Sequence, residues 1–182
     1  MPDRAEFSRL PRLTFVLGGA RSGKSAYAEA LVEAAALQAI YLAAATAGDE
    51  EMRARIAAHR ARRGARWTTI EEPLELPAVL RGEPRRPVLV ECLTLWLANL
   101  MAAGRRPDSE TAALLAALEE GAGPVVLVAN EVGLGIVPDN ALAREFRDHA
   151  GRLNCAVAAI ADRVVFLAAG LPLTLKDRAA VG

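Results

Sequence analysis

The chain is poor in several things, and each shortage removes a class of explanation. Its 182 residues contain two cysteines, Cys92 and Cys155, far apart in sequence. That excludes a disulfide scaffold and suits a reducing compartment. Aromatic residues make up only 4%, and no basic groove signature for nucleic acid is in view. Net charge is also missing. Lys plus Arg and Asp plus Glu stand at 22 each, so no overall field draws the protein onto nucleic acid or an anionic membrane. Long hydrophobic runs are absent too. The most apolar stretch, "VLVECLTLWLANLMAA", is interrupted by Glu91 and falls short of the roughly 20 residues a spanning helix needs. The opening "MPDRAEFSRLPR" is charged, and the apolar run behind it is too short for a signal peptide. A soluble, cytoplasmic protein is expected.

What is present is a rhythm. Short apolar, β-branched runs recur as "LTFVL" (13–17), "AIYLA" (39–43), "PVLVE" (87–91), "PVVLVA" (124–129) and "RVVFLA" (163–168). Near-continuous apolar strands of this kind are buried on both faces, as in a parallel sheet. Helical patterns lie between them at about 25–36, 49–63, 93–103, 109–120 and 140–158, and "RWTTIEEP" adds another strand. The alternation predicts an α/β fold with a mostly parallel sheet, helices on both faces and right-handed crossovers. "GLPLTLK" near the end is expected to add a hairpin strand at one edge. The segments 81–87 and 104–108 read as connectors. A single domain over 1–182 is expected, with loose tails at 1–12 and 177–182.

The first chemical signal is "GGARSGKS", comprising Gly18, Gly19, Ala20, Arg21, Ser22, Gly23, Lys24 and Ser25. It satisfies the phosphate-loop pattern G-x-x-x-x-G-K-[ST] and sits between a strand and a helix, the context that pattern requires. Glycines let backbone N–H groups close around phosphates, and the helix N-terminus adds its dipole. Lys24 is placed to reach the β- and γ-phosphates, and the Ser25 hydroxyl to ligate Mg²⁺. Such a loop alone does not choose between a kinase, a switch and a motor.

Downstream, "DEEMRARIAAHRARRGARW" puts His59 on one helical stripe with Met52 and Ile56, among Arg53, Arg55, Arg60, Arg62, Arg63 and Arg66. Surrounding positive charge disfavours the imidazolium, which leaves a neutral imidazole able to attack a nucleotide α-phosphorus. Periodicity alone points rather to a helix histidine half-buried at an interface, with the arginines solvated. Glu91 closes a buried strand and occupies the place of a carboxylate that helps hold Mg²⁺. Glu71 and Glu72 close another strand, and a solvated turn would account for them as well. Asn130 and Glu131 open "NEVGLGIVPDN" at the mouth of the sheet, where Gly133 and Gly135 let the loop bend. His149 is expected to be structural.

Together, "GGARSGKS", "DEEMRARIAAHRARR", "VLVECLTLWLANL", "VVLVANEVGLGIVP" and "REFRDHAGRLN" resemble the bifunctional adenosylcobinamide kinase/adenosylcobinamide-phosphate guanylyltransferases of cobalamin biosynthesis. The resemblance spans about residues 13–176. It implies a RecA-like P-loop fold with ATP or GTP as substrates. It also implies phosphorylation of the aminopropanol hydroxyl of adenosylcobinamide, then GMP transfer from GTP through a guanylylated histidine to give adenosylcobinamide-GDP.

By position the histidine is His59, and Arg60, Ala61, Arg62 and Arg63 fall on a guanine-nucleotide segment. Glu71, Glu91 and Ala43 to Ala45 fall on further nucleotide contacts. The family usually carries threonine where this chain has Ala44, which removes a hydroxyl from that place. The resemblance also implies a homo-oligomer, in particular a trimer with the active site near a subunit boundary. Two other functions fit the P-loop: a small-molecule kinase without nucleotidyl transfer, and a RecA-like NTPase or GTP switch acting on a macromolecule.

Overall fold

The computed structural model describes residues 10–36, 38–45, 64, 66–82, 86–121 and 123–178. Seven strands form one sheet: β1 (Leu13–Gly18), β2 (Ala39–Ala43), β3 (Trp67–Glu71), β4 (Val88–Glu91), β5 (Val125–Asn130), β6 (Arg163–Ala168) and β7 (Leu171–Asp177). Their order across the sheet is β3-β2-β4-β5-β1-β6-β7. All neighbours pair parallel except β6 and β7. The described helices are α1 (Lys24–Ala35), α2 (Leu76–Gly82), α3 (Leu93–Ala102), α4 (Pro107–Glu120) and α5 (Ala141–Ile160). The expected helix at 49–63 lies outside the described residues.

Strand alternation divides the core into two layers, because successive side chains of a strand point to opposite faces. Leu13, Phe15 and Leu17 of β1, Val88 and Val90 of β4, and Leu127 and Ala129 of β5 share a cluster with α2, α3, α4 and α5. Val16, Leu89, Val126 and Val128 share the other with Ala28, Leu31 and Val32 of α1. The apolar strands are thus buried on both faces, as their composition demanded.

The run "VLVECLTLWLANLMAA" resolves into β4 followed almost at once by α3. Neither piece is long enough to cross a bilayer, and no helix among the described residues is. Trp96 of α3 is fully buried, and its indole N–H donates to Leu74 O at 2.8 Å. A buried indole needs such a partner, and truncating a buried Trp to alanine costs about 3–5 kcal/mol.

Local sequence explains the remaining boundaries. Pro107 begins α4, with Asp108 and Glu110 in its first turn, where the missing N–H costs nothing and the dipole favours acid. Asn140 caps α5 by accepting from the Ala143 N–H at 2.7 Å. The expected hairpin strand is present as β7. It is joined to β6 through Ala169 and Gly170, both at positive φ, as tight two-residue hairpin turns require. α2 was not foreseen: Leu76–Gly82 takes in Arg81, which composition assigned to a connector.

Candidate active site

The C-terminal ends of the parallel strands gather the sequence-picked residues at one edge. Gly18 ends β1, Ala43 ends β2, Glu71 ends β3 and Glu91 ends β4. In register, Ala43 pairs with both Glu71 and Glu91, while Gly18 pairs with Asn130. This edge of an open α/β sheet is where ligands bind.

From Gly18 the chain turns through Gly19, Ala20, Arg21 and Ser22 into α1, with Arg21 at φ 57 and Gly23 at φ 93. Gly18 tolerates no side chain: a Cβ there would meet Leu167 O at 2.6 Å and Ser22 Oγ at 2.5 Å. Gly23 is the left-handed N-cap of α1 and offers no side-chain cap, so the first N–H groups of the helix keep no partner within it. The β6–β7 turn forms the outer wall, since the Gly170 N–H donates to Ser22 O at 2.9 Å.

Lys24 is 7% exposed, and its Nζ donates to Gly19 O at 3.0 Å. The ammonium therefore lies back along the loop rather than out in solvent. The Ser25 hydroxyl donates to Glu91 Oε1 at 2.7 Å. This contact crosses from α1 to β4, two strands away from β1, with β5 between them. The resulting pair of hard oxygen donors suits a magnesium ion that keeps most of its water and phosphate ligands.

The second strand end is held from behind. The Ala44 N–H donates to Glu91 O at 3.0 Å, and the Glu72 N–H donates to Ala43 O at 3.0 Å. Asn99 of α3 donates through Nδ2 to Ala44 O at 2.7 Å and to Pro73 O at 3.1 Å. Ala44 is fully buried within the larger core cluster, so its methyl group packs inward. The side chains of this segment that remain partly accessible are those of Ala43 and Ala45.

Glu71 and Glu72 part company. Glu72 Oε1 accepts from the Leu74 and Glu75 N–H groups, each at 2.9 Å, and so builds the turn into α2. Glu71 stays exposed at the strand end. His149 is structural as expected: its ring lies 12% exposed between α4 and α5, with Nδ1 2.9 Å from Arg152 Nη2 and 3.5 Å from Asp108 Oδ1. His59, Arg60, Ala61, Arg62 and Arg63 lie outside the described residues. The loop with Gly133, Gly135 and Val137 borders a groove of about 590 Å³ along α5, lined also by Arg147, Gly151 and Cys155. No phosphate-loop residue lines it.

Several supporting residues had not been singled out. Asn99 is the lone carboxamide in "LTLWLANLMA", which is apolar apart from it and Thr94, a pattern that marks a polar group with a buried task. Thr94 Oγ1 accepts the Asn130 N–H at 2.7 Å, and nothing local in sequence announces that contact.

Comparison with known proteins now bears on this geometry. The sequence profile of the family "Cobinamide kinase / cobinamide phosphate guanyltransferase" matches residues 14–175. The bifunctional adenosylcobalamin biosynthesis protein CobP of Pseudomonas aeruginosa is 53% identical over 165 residues, covering 88% of this chain and 95% of that protein. The bifunctional adenosylcobalamin biosynthesis protein CobU of Salmonella typhimurium is 41% identical over 181 residues, covering 90% of this chain and 99% of that protein. Among solved structures, an ATPase from the type III secretion system of pathogenic bacteria superposes with a TM-score of 0.59 at 14% identity. That match covers 98% of this chain but only 61% of the ATPase, and it speaks to the P-loop, RecA-like fold alone. With all seven strands falling within the matched span but for Leu13 at one end and Lys176 and Asp177 at the other, the chain belongs to the cobinamide kinase/cobinamide phosphate guanyltransferase family.

Proposed function

We propose that this chain uses one nucleotide site for two successive reactions on a corrinoid. It phosphorylates adenosylcobinamide with ATP or GTP, then transfers GMP from GTP to the phosphorylated product. The observation that carries the reading is the Ser25–Glu91 contact at 2.7 Å. It sets a hydroxyl and a carboxylate together beside a complete phosphate loop, and the family match supplies the reaction class.

In the phosphoryl step, the loop N–H groups and Lys24 bind the β- and γ-phosphates and hold the γ-phosphorus in line with the incoming alcohol. Lys24 exchanges its contact with Gly19 O for phosphate oxygens. Ser25 and Glu91 would hold Mg²⁺, which when bound neutralises phosphate charge. In the transfer step, the His59 imidazole attacks the α-phosphorus and the α,β-bridging P–O bond breaks. Pyrophosphate departs against Lys24 and the arginines of 60–63. The oxygen of cobinamide phosphate then displaces the histidine, and cobinamide-GDP leaves. His59 and Arg60–Arg63 carry these roles by the resemblance of their sequence segment.

The same reading makes the protein a cytoplasmic homotrimer with its active site near a subunit boundary. Leu171, Leu173 and Leu175 on edge strand β7 are each more than half exposed, an apolar face of the kind that subunit contacts cover. The test of the two-step reading is mass spectrometry of the protein after incubation with GTP. An adduct of GMP mass on His59, absent in His59→Ala, is expected. An adduct that persists in His59→Ala overturns the histidyl intermediate.

A further inference from the structure

The two reactions attack different phosphorus atoms of a nucleotide held in one loop, so something at the site must serve the γ-position alone. Strand parity identifies a candidate. On β5, Val126 and Val128 face the α1 layer while Leu127 and Ala129 face away from it. Asn130 continues the even series, which places its side chain on the α1 face. Glu91 lies on that face too, because it follows the same alternation on β4 and bonds to Ser25 of α1.

Register fixes the height. Glu91 pairs with Val128 and Gly18 pairs with Asn130. Asn130 therefore stands two residues beyond the Glu91 level, about 6–7 Å farther out along the strand, directly beside the first glycine of the phosphate loop.

The backbone of Asn130 is held rigidly. Its N–H donates to Thr94 Oγ1 at 2.7 Å, its C=O accepts from Asn154 Nδ2 at 3.4 Å, and the next N–H, of Glu131, donates to Gly18 O at 3.0 Å. Its carboxamide, by contrast, has no hydrogen-bond partner among the described residues. A half-buried amide on a fixed strand end, beside the loop and unused by the protein, is pre-organised for a ligand.

We infer that the Asn130 carboxamide binds the γ-phosphoryl group and the alcohol that attacks it, and is therefore a catalytic residue of the kinase step. Its Nδ2 donates to a γ-phosphoryl oxygen and its Oδ1 accepts from the alcohol O–H. The alcohol oxygen forms the new P–O bond, the β,γ-bridging bond breaks to release the nucleoside diphosphate, and the alcohol proton passes to solvent water. Being neutral, the amide adds no repulsion to the phosphate, which a carboxylate in its place would.

The inference rests on the kinase reading, and the test separates the two. Cobinamide phosphorylation is measured in the wild-type protein, Asn130→Ala and Asn130→Asp, with kcat, nucleotide KM and thermal midpoint recorded for each. Asn130→Ala is expected to lose about 10²-fold or more in kcat, with nucleotide KM and midpoint little changed. Asn130→Asp, nearly isosteric but charged, should fall further. An Asn130→Ala protein within about threefold of wild-type kcat overturns the assignment. So does a parallel loss of kcat, affinity and midpoint, which would make Asn130 a structural strand end. An Asn130→Asp protein as active as wild type overturns the γ-phosphoryl contact. A wild-type protein inactive on cobinamide would instead overturn the functional reading itself, and this inference with it.

Discussion

Ser25 and Glu91 meet across an intervening strand: Oγ of the one donates to Oε1 of the other at 2.7 Å, although β5 separates β4 from β1. The contact exists because α1 leans over that strand, and it joins the start of the P-loop helix to the end of β4. A serine at the end of the loop motif thereby gains a carboxylate partner from far along the chain.

Glu91→Gln separates charge from hydrogen bonding at this contact. The glutamine Oε1 still accepts from the Ser25 hydroxyl, so the fold should keep its thermal midpoint. The lost charge should raise the Mg²⁺ concentration needed for half-maximal phosphorylation by about 10- to 100-fold. A magnesium titration of activity decides the matter, and an unchanged titration would remove Glu91 from the metal site.

Asn99→Ala tests the support behind the second strand. The substitution strips a donor from Ala44 O and Pro73 O together, and unsatisfied buried carbonyls cost about 1–3 kcal/mol. Urea denaturation should show that loss, and nucleotide affinity should weaken with it because the backbone of 43–45 is no longer pinned. Stability equal to wild type would mean that both carbonyls find other donors.

The two cysteines should differ sharply. Burial, and then the neighbouring Glu91 charge, pushes the Cys92 thiol from 9.0 up to about 11, whereas Cys155 is exposed. Iodoacetamide at pH 8 should modify Cys155 and spare Cys92 until the protein unfolds. The folded value lies above the unfolded one, so unfolding releases a proton between pH 9 and about 11. The stabilising contribution of Cys92 is therefore complete below pH 9 and declines as pH rises toward 11. Cys92→Ala should lack this part of the alkaline fall in thermal midpoint. An alkaline limb identical to wild type would contradict the shift.

Much of this arrangement could be read in advance because it is local. The phosphate loop is eight consecutive residues, and alternation within β1, β4 and β5 marks strands buried on both faces. Glu91 was identifiable as the polar end of an apolar strand. Other parts depend on contacts remote in sequence. Helix α2 is one short segment with Pro77 in its first turn, too brief for a helical period to emerge. Glu72 looked like half of an acidic pair, yet it ties its own turn. The inward packing of Ala44 became visible only when α3 lay against it. His59 was recognised by motif together with Arg53, Arg55, Arg60, Arg62 and Arg63, and these lie outside the described residues; of that arginine group only Arg66 is described, its carbonyl accepting from the Ala39 N–H.

The turn through Ala169 and Gly170 has a consequence for biosynthesis. The phosphate loop leaves the ribosome well before Gly170, whose N–H holds Ser22 O. The carboxylate of Glu91 and the strand carrying Asn130 are made in between. A nascent chain can thus display the entire glycine-rich motif long before it has the walls that shape it. Such long-range closure also delays folding. Nucleotide retention should therefore be acquired only once the β6–β7 hairpin has been translated and has docked.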